Sequence, residues 1–204
     1  SVFVWACAGC TGTNACCPIL SHSTLTPSFP FRSLTDEPVL HMRFGINTFL
    51  FTSPFTTKST SLFPKFKKWG FDTVELPIEA PEHIDSVKVK KGLDRNGLVC
   101  GSVCACMGPG RDFRGSGKDQ REAMRYCKAL IDHMVNLGCP SLIGPVYSVV
   151  GKADAVEPKD QKKEFALVVK NLKVLAAYAE KKGVQICVEP LNRFETDFLN
   201  TCDK

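Results

Sequence analysis

The chain has 204 residues, 44% of them hydrophobic and 23% charged, with a formal net charge of +5; that is enough for one domain with a sizeable core and short for two. The basic excess falls on segments that read as helices, with Lys65, Lys67 and Lys68 in one and Lys162, Lys163, Lys170 and Lys173 in another. Lysines so placed form a solvated face, and no aromatic and basic residues interleave as a nucleic-acid surface requires. No stretch is apolar for the length of a bilayer, so neither nucleic acid nor a membrane is expected as a partner.

Residues 1–41 read differently from the rest. They hold Cys7, Cys10, Cys16 and Cys17, only three charged side chains (Arg32, Asp36, Glu37) and no sustained period. "ACAGCTGTNACC" (6–17) uses only letters that are also nucleotide codes, which points to translated non-coding sequence with Met42 as the natural start. The rival reading is an organellar targeting peptide, since "SHSTLTPSFPFRS" is rich in Ser, Thr and Pro and poor in acids. A zinc knuckle is disfavoured because Cys16-Cys17 lacks ligand spacing. Residues 1–41 are therefore expected to be an irregular extension, and residues 42–204 a domain.

From Met42 strands and helices alternate. A strand is predicted over 43–51, "RFGINTFLF", and a helix over 59–70 ending at Gly70. A second strand, "FDTVELPIE" (71–79), precedes a helix over 82–97. A third, "LVCGSVCAC" (98–106), leads through a Gly-rich loop into a helix over 118–137 closed by Gly138. "PSLIGPV" (140–146) is a fourth strand. A long helix spans 159–182, with Phe165, Val168, Val169, Leu172, Leu175 and Ala176 on one face. "VQICVEP" (184–190) is the fifth strand. Eleven cysteines are present, seven of them after residue 99 and five of those inside these elements, which suits reduced thiols in a cytoplasmic chain.

This rhythm means parallel strands with right-handed crossovers, in either an open doubly wound sheet or a closed (β/α)8 TIM barrel. The turn after the first strand, "FTSPFTT", is not a phosphate cradle, which counts against a dinucleotide fold. Each strand divides into an apolar side and a small or polar side: Ile186 and Val188 against Gln185, Cys187 and Glu189; Val74 and Leu76 against Thr73 and Glu75; Phe44 and Ile46 against Gly45 and Asn47. Polar sides that gain acids towards the C-terminal ends suit a barrel with a site at its mouth. Taken singly, Glu75 and Glu189 would be structural as often as functional. Cys100, Cys104 and Cys106 are expected to share a strand face as small apolar filler. His83 and His133 are expected on helix faces.

"CVEPLNRFETDFLNT" resembles the fifth-strand motif of the ketose 3-epimerases, the D-tagatose and D-psicose 3-epimerase group of the xylose isomerase-like TIM-barrel superfamily. "RFGINTFLF", "WGFDTVELP" and "LIGPVYSVVGK" agree with it. The resemblance implies metal-dependent epimerisation of a free ketose at C3 through an enediolate, with one divalent ion, Mn2+ first and Co2+ or Mg2+ as substitutes. It places a metal-binding, proton-transferring glutamate at Glu189 and a sugar-contacting glutamate at Glu195. It also implies a mouth-facing acid at Glu75 and a pocket-lining loop over Gly144–Ser148 that includes Tyr147. Asn47 falls on a pocket position where relatives carry larger residues. Arg193 is expected either to orient a carboxylate or to stay at the surface. A homo-oligomer is implied for the full-length protein.

A barrel of this type needs eight strands and about 250 residues, whereas five strands are predicted here. The family's remaining ligands, an Asp, a His and a Glu, fall on strands six to eight, beyond Lys204. The chain is therefore expected to be the N-terminal part of an epimerase and inactive alone. The alternatives are another sugar isomerase of the superfamily, or a truncated product acting as an interaction fragment.

Overall fold

The structure, a computed structural model, describes residues 42–153 and 158–203; the extension expected over residues 1–41 lies outside them. Strands and helices alternate as β1 (Gly45–Asn47), α1 (Phe63–Lys68), β2 (Thr73–Ile78), α2 (Ser86–Arg95), β3 (Val99–Ala105), α3 (Gly117–Leu137), β4 (Ser141–Gly144), α4 (Pro158–Lys181) and β5 (Gln185–Val188).

Local chemistry sets several of these boundaries. The Asp85 side chain accepts from Lys88 N at 3.0 Å and starts α2. Ser116 and Asp119 form a reciprocal capping box at the start of α3, and Gly138 ends that helix at φ 65°, where a side chain would be strained. The predicted first strand is shorter than its apolar pattern suggests. The Asn47 side-chain oxygen accepts from Phe49 N at 2.8 Å and turns the chain into a 3-10 turn, Thr48–Leu50. A local side-chain bond thus competes with continued strand pairing.

All five strands are parallel, in the order β1-β2-β3-β4-β5. A doubly wound sheet would show a reversal of order; strict succession is barrel order, so the barrel reading holds. Among the described residues the sheet is not closed, and β1 and β5 each have one unpaired edge.

One face of the sheet is sealed by the helices. Ile46, Val74, Leu76, Ile78, Val103, Ala105 and Leu142 are buried there, in one core with Phe63, Phe66, Val89, Leu93, Leu130, Ile131 and Met134. Full burial of each large side chain contributes about 1.5–3 kcal/mol. On α4 the buried residues are Val168, Leu175 and Ala179, backed by Leu172; Phe165 and Ala176, expected on that face, are exposed.

A bulge corrects the reading of the β3 cysteines. Val74 pairs with Cys100 but Glu75 with Ser102, so Gly101 is an extra residue and the alternation slips by one. Cys100 lies with Val74 on the helix-covered side, 1% exposed, while Cys104 and Cys106 remain half-buried on the opposite side. All seven described cysteines are unpaired. The lysines singled out from the sequence are exposed. No helix among the described residues is long and apolar enough to cross a membrane.

Candidate functional site

The sheet face turned away from the helices carries a polar row set by register. Asn47 of β1 pairs with Glu75 of β2, and Glu75 with Ser102 of β3. Asn47 Nδ2 donates to Glu75 Oε1 and the Ser102 hydroxyl to Oε2, each at 2.7 Å. Both oxygens of Glu75 are thereby engaged and its side chain is held from two neighbouring strands. Burial raises its proton affinity, and the bond from Ser102 offsets part of that. Glu75 is the third of the six β2 residues, so it sits deeper below the mouth than Glu189.

Glu189 follows directly on β5. Its N–H donates to the carbonyl of Gly144 at 3.0 Å, which fixes the start of the loop after β5 to the end of β4. Glu189 is exposed, and its carboxylate takes no hydrogen bond among the described residues. Partial burial raises its proton affinity first, and the charges of Glu75 and then Glu195 raise it further. The charges of Glu75, from β2, and of Glu195, from the loop after β5, therefore both reach Glu189.

Gly144 allows the close approach at this point. Its φ is +115°, and a Cβ there would lie 3.1 Å from the carbonyl of Ala105 and 3.3 Å from Cys104 Sγ. A hydrogen bond with the Cys106 thiol, then burial, then the charges of Glu75 and Glu189 push the Cys104 thiol far up, so it stays protonated on the inner face.

In the loop after β5, the Glu195 carboxylate accepts from Asn192 Nδ2, and its carbonyl accepts from Gly151 N at 2.8 Å. Tyr147 is 1% exposed; its ring stacks on Phe198 at 5.4 Å and its hydroxyl donates to the carbonyl of Leu199 at 3.4 Å. It supports the loop from beneath, and burial followed by the Glu189 charge raises its pKa to about 12. Arg193 is exposed and lies over Phe194 at 5.2 Å, which matches the surface reading. His133 Nε2 meets the carbonyl of Pro81 at 3.0 Å, and His83 is exposed.

The structure thus brings Asn47, Glu75, Glu189, Glu195 and Tyr147 to one side and end of the sheet. Two further residues belong with them and were not singled out from the sequence. Ser102 was hidden by the bulge. Arg114 lies in the loop after β3 and is buried beneath the loop that bears Glu195; its place as the second of two arginines in the Gly-rich "GPGRDFRGSG" was its only signal.

A family model described as xylose isomerase-like TIM barrel matches residues 63–204. The chain is 29% identical over 161 residues to a probable ketose 3-epimerase of Synechocystis sp., covering 78% of this chain and 55% of that protein. It is 25% identical over 169 residues to a D-psicose 3-epimerase of Agrobacterium fabrum, covering 78% and 56%. In fold it is similar to the crystal structure of a D-allulose 3-epimerase from Methylomonas sp. in complex with D-allulose, with TM-score 0.69, 22% identity and coverage of 77% and 54%. The chain spans about half the length of the curated relatives it matches.

Proposed function

The chain belongs to the xylose isomerase-like TIM-barrel family, and from that premise we propose that the protein inverts C3 of a free ketose. One observation carries the reading: Glu189, at the end of β5, has an unengaged carboxylate whose proton affinity is raised by burial and by two converging acids. Such a group is a better proton acceptor than an ordinary carboxylate. The names of the curated relatives, a probable ketose 3-epimerase and a D-psicose 3-epimerase, support that reaction class.

The Glu189 carboxylate suits a divalent cation as one ligand of a set. Uncompensated carboxylate oxygens favour a hard ion, with Mn2+ our first choice and Co2+ or Mg2+ the substitutes. Among the described residues no group of three or more His, Cys, Asp or Glu side chains is arranged to hold a metal, so Glu189 is the ligand this part of the chain offers. When bound, the ion supplies electrostatic stabilisation of negative charge developing on substrate oxygens.

The chain's own residues then divide the work. Glu189 takes the proton from C3, leaving an enediolate; return of a proton to the opposite face requires a second base. Glu195 holds sugar hydroxyls from the loop. Asn47 and Ser102 fix Glu75 as a deep wall of the pocket, and Tyr147 backs the Glu189 loop. Unpaired thiols at Cys104 and Cys106 suit a reducing, cytoplasmic compartment.

The test is hydrogen exchange at carbon. The protein at its natural length is incubated with Mn2+ and free ketohexoses in deuterated water, and incorporation at C3 is followed by NMR. We expect deuterium at C3 with formation of the epimer, and a loss of at least about 100-fold in Glu189→Gln. Exchange at C1 alone, or no exchange with any ketose, would overturn the reading.

A further inference from the structure

We propose that Arg114 is a positioning residue that clamps the loop after β5, and with it Glu195, onto the loops after β3 and β4. The functional half of this rests on the reading of Glu195 as a sugar contact; the clamp itself does not.

The loop over residues 189–203 has no helix or strand of its own among the described residues. Its backbone is tied to the loop after β4 by a parallel bridge between Lys152 and Thr196. Gly151 N donates to the carbonyl of Glu195 at 2.8 Å and Asp197 N to the carbonyl of Lys152 at 3.3 Å. Arg114 engages both sides of that bridge. Its Nη1 donates to the carbonyl of Lys152 at 3.5 Å, and its Nη2 meets Asp197 Oδ1 at 2.7 Å. The remaining edge forks onto Glu164 of α4, with Nε to Oε1 at 2.9 Å and Nη2 to Oε2 at 3.1 Å. The guanidinium also lies over the Phe198 ring at 5.0 Å.

The clamp is itself braced. The Arg114 side chain is 0% exposed. Its own N–H donates to Asp112 Oδ1 at 2.8 Å, and Lys152 Nζ meets Asp112 Oδ2 at 3.0 Å. One planar cation thus joins four segments: the loop after β3, the loop after β4, helix α4 and the loop after β5. A lysine, as a single point donor, cannot keep the fork on Glu164 while also reaching Asp197 and a carbonyl. Glu195 sits between the bridge and the Asn192 turn, so its position depends on that bridge.

The experiment compares wild type, Arg114→Lys and Asp197→Asn at natural length. Asp197→Asn keeps the Arg114–Glu164 pair and guards against a variant that fails to fold. Amide exchange is read by mass spectrometry over residues 145–153 and 189–203, with residues 73–78 as reference. We expect both variants to speed exchange in the two loops by about tenfold or more while the reference stays within about twofold. Where wild type turns over a ketose, we expect KM to rise about fivefold or more with kcat within about threefold. Unchanged exchange in residues 189–203 overturns the clamp. Faster exchange with unchanged KM overturns the positioning of Glu195. Absence of ketose turnover in wild type defeats the functional reading, and the exchange pattern alone then decides the role of Arg114.

Discussion

Tyr126 offers a clean measure of what holds the mouth ends of β2 and β3 in place. It lies on α3, 1% exposed, and its hydroxyl donates to the carbonyl of Ile78 at 2.5 Å and accepts from Cys106 N at 2.8 Å. Those two groups stand at the last residue of β2 and just past the end of β3, where strand pairing stops. Tyr126→Phe keeps the ring but leaves a buried carbonyl and a part-buried N–H without this partner. A buried orphaned group costs about 1–3 kcal/mol and the part-buried N–H falls at the lower end, about 1 kcal/mol, so the change should cost about 2–4 kcal/mol. At about 2–4 °C per kcal/mol for a chain of this size, Tm should fall by roughly 5–15 °C. Urea and thermal unfolding followed by circular dichroism would measure this, with Tyr178→Phe as the control. Tyr178 makes the same kind of bond, but to Asp132 on the surface at 2.8 Å, and should lose less than about 0.5 kcal/mol. Equal losses in the two variants would refute the reasoning.

Glu75→Gln keeps an acceptor for Asn47 and a donor for Ser102 while removing a buried charge. Because the folded pKa of Glu75 is raised above 4.5, its carboxyl contributes stability below the unfolded value that is lost as pH rises through the folded value. The variant should therefore gain on wild type in urea midpoint at pH 7 and lose that gain at pH 4; a gap independent of pH would count against this. Gly144→Ala should cost about 1–3 kcal/mol from backbone strain at φ +115°, measured by the same unfolding; a neutral result would mean the close contact with Ala105 relaxes freely. Calorimetric titration of the 204-residue chain with Mn2+ should show no sub-micromolar site, since no group of three or more ligating side chains forms among the described residues, and tight binding would disprove that ligand count.

The alternation of elements, the parallel sheet and its apolar side were legible in the chain, because helix and strand periods and glycine stops are properties of neighbouring residues. Thus α3 begins one residue from its predicted start, and Gly138 ends it as expected. The acid that terminates β5 was visible for the same reason. Other features depend on register and on residues far apart in sequence. The Glu75 row joins residues separated by 27 and 28 positions, and Arg114 meets Glu164 across 50. No local pattern encodes those pairings, and the extra residue at Gly101 reversed the expected face of Cys100. Sequence alone determined which strands form and where polarity gathers along them. Only tertiary structure decided which side chains meet, because a single bulge moves every side chain before it to the other face and a buried cation finds its partners through the folded loops.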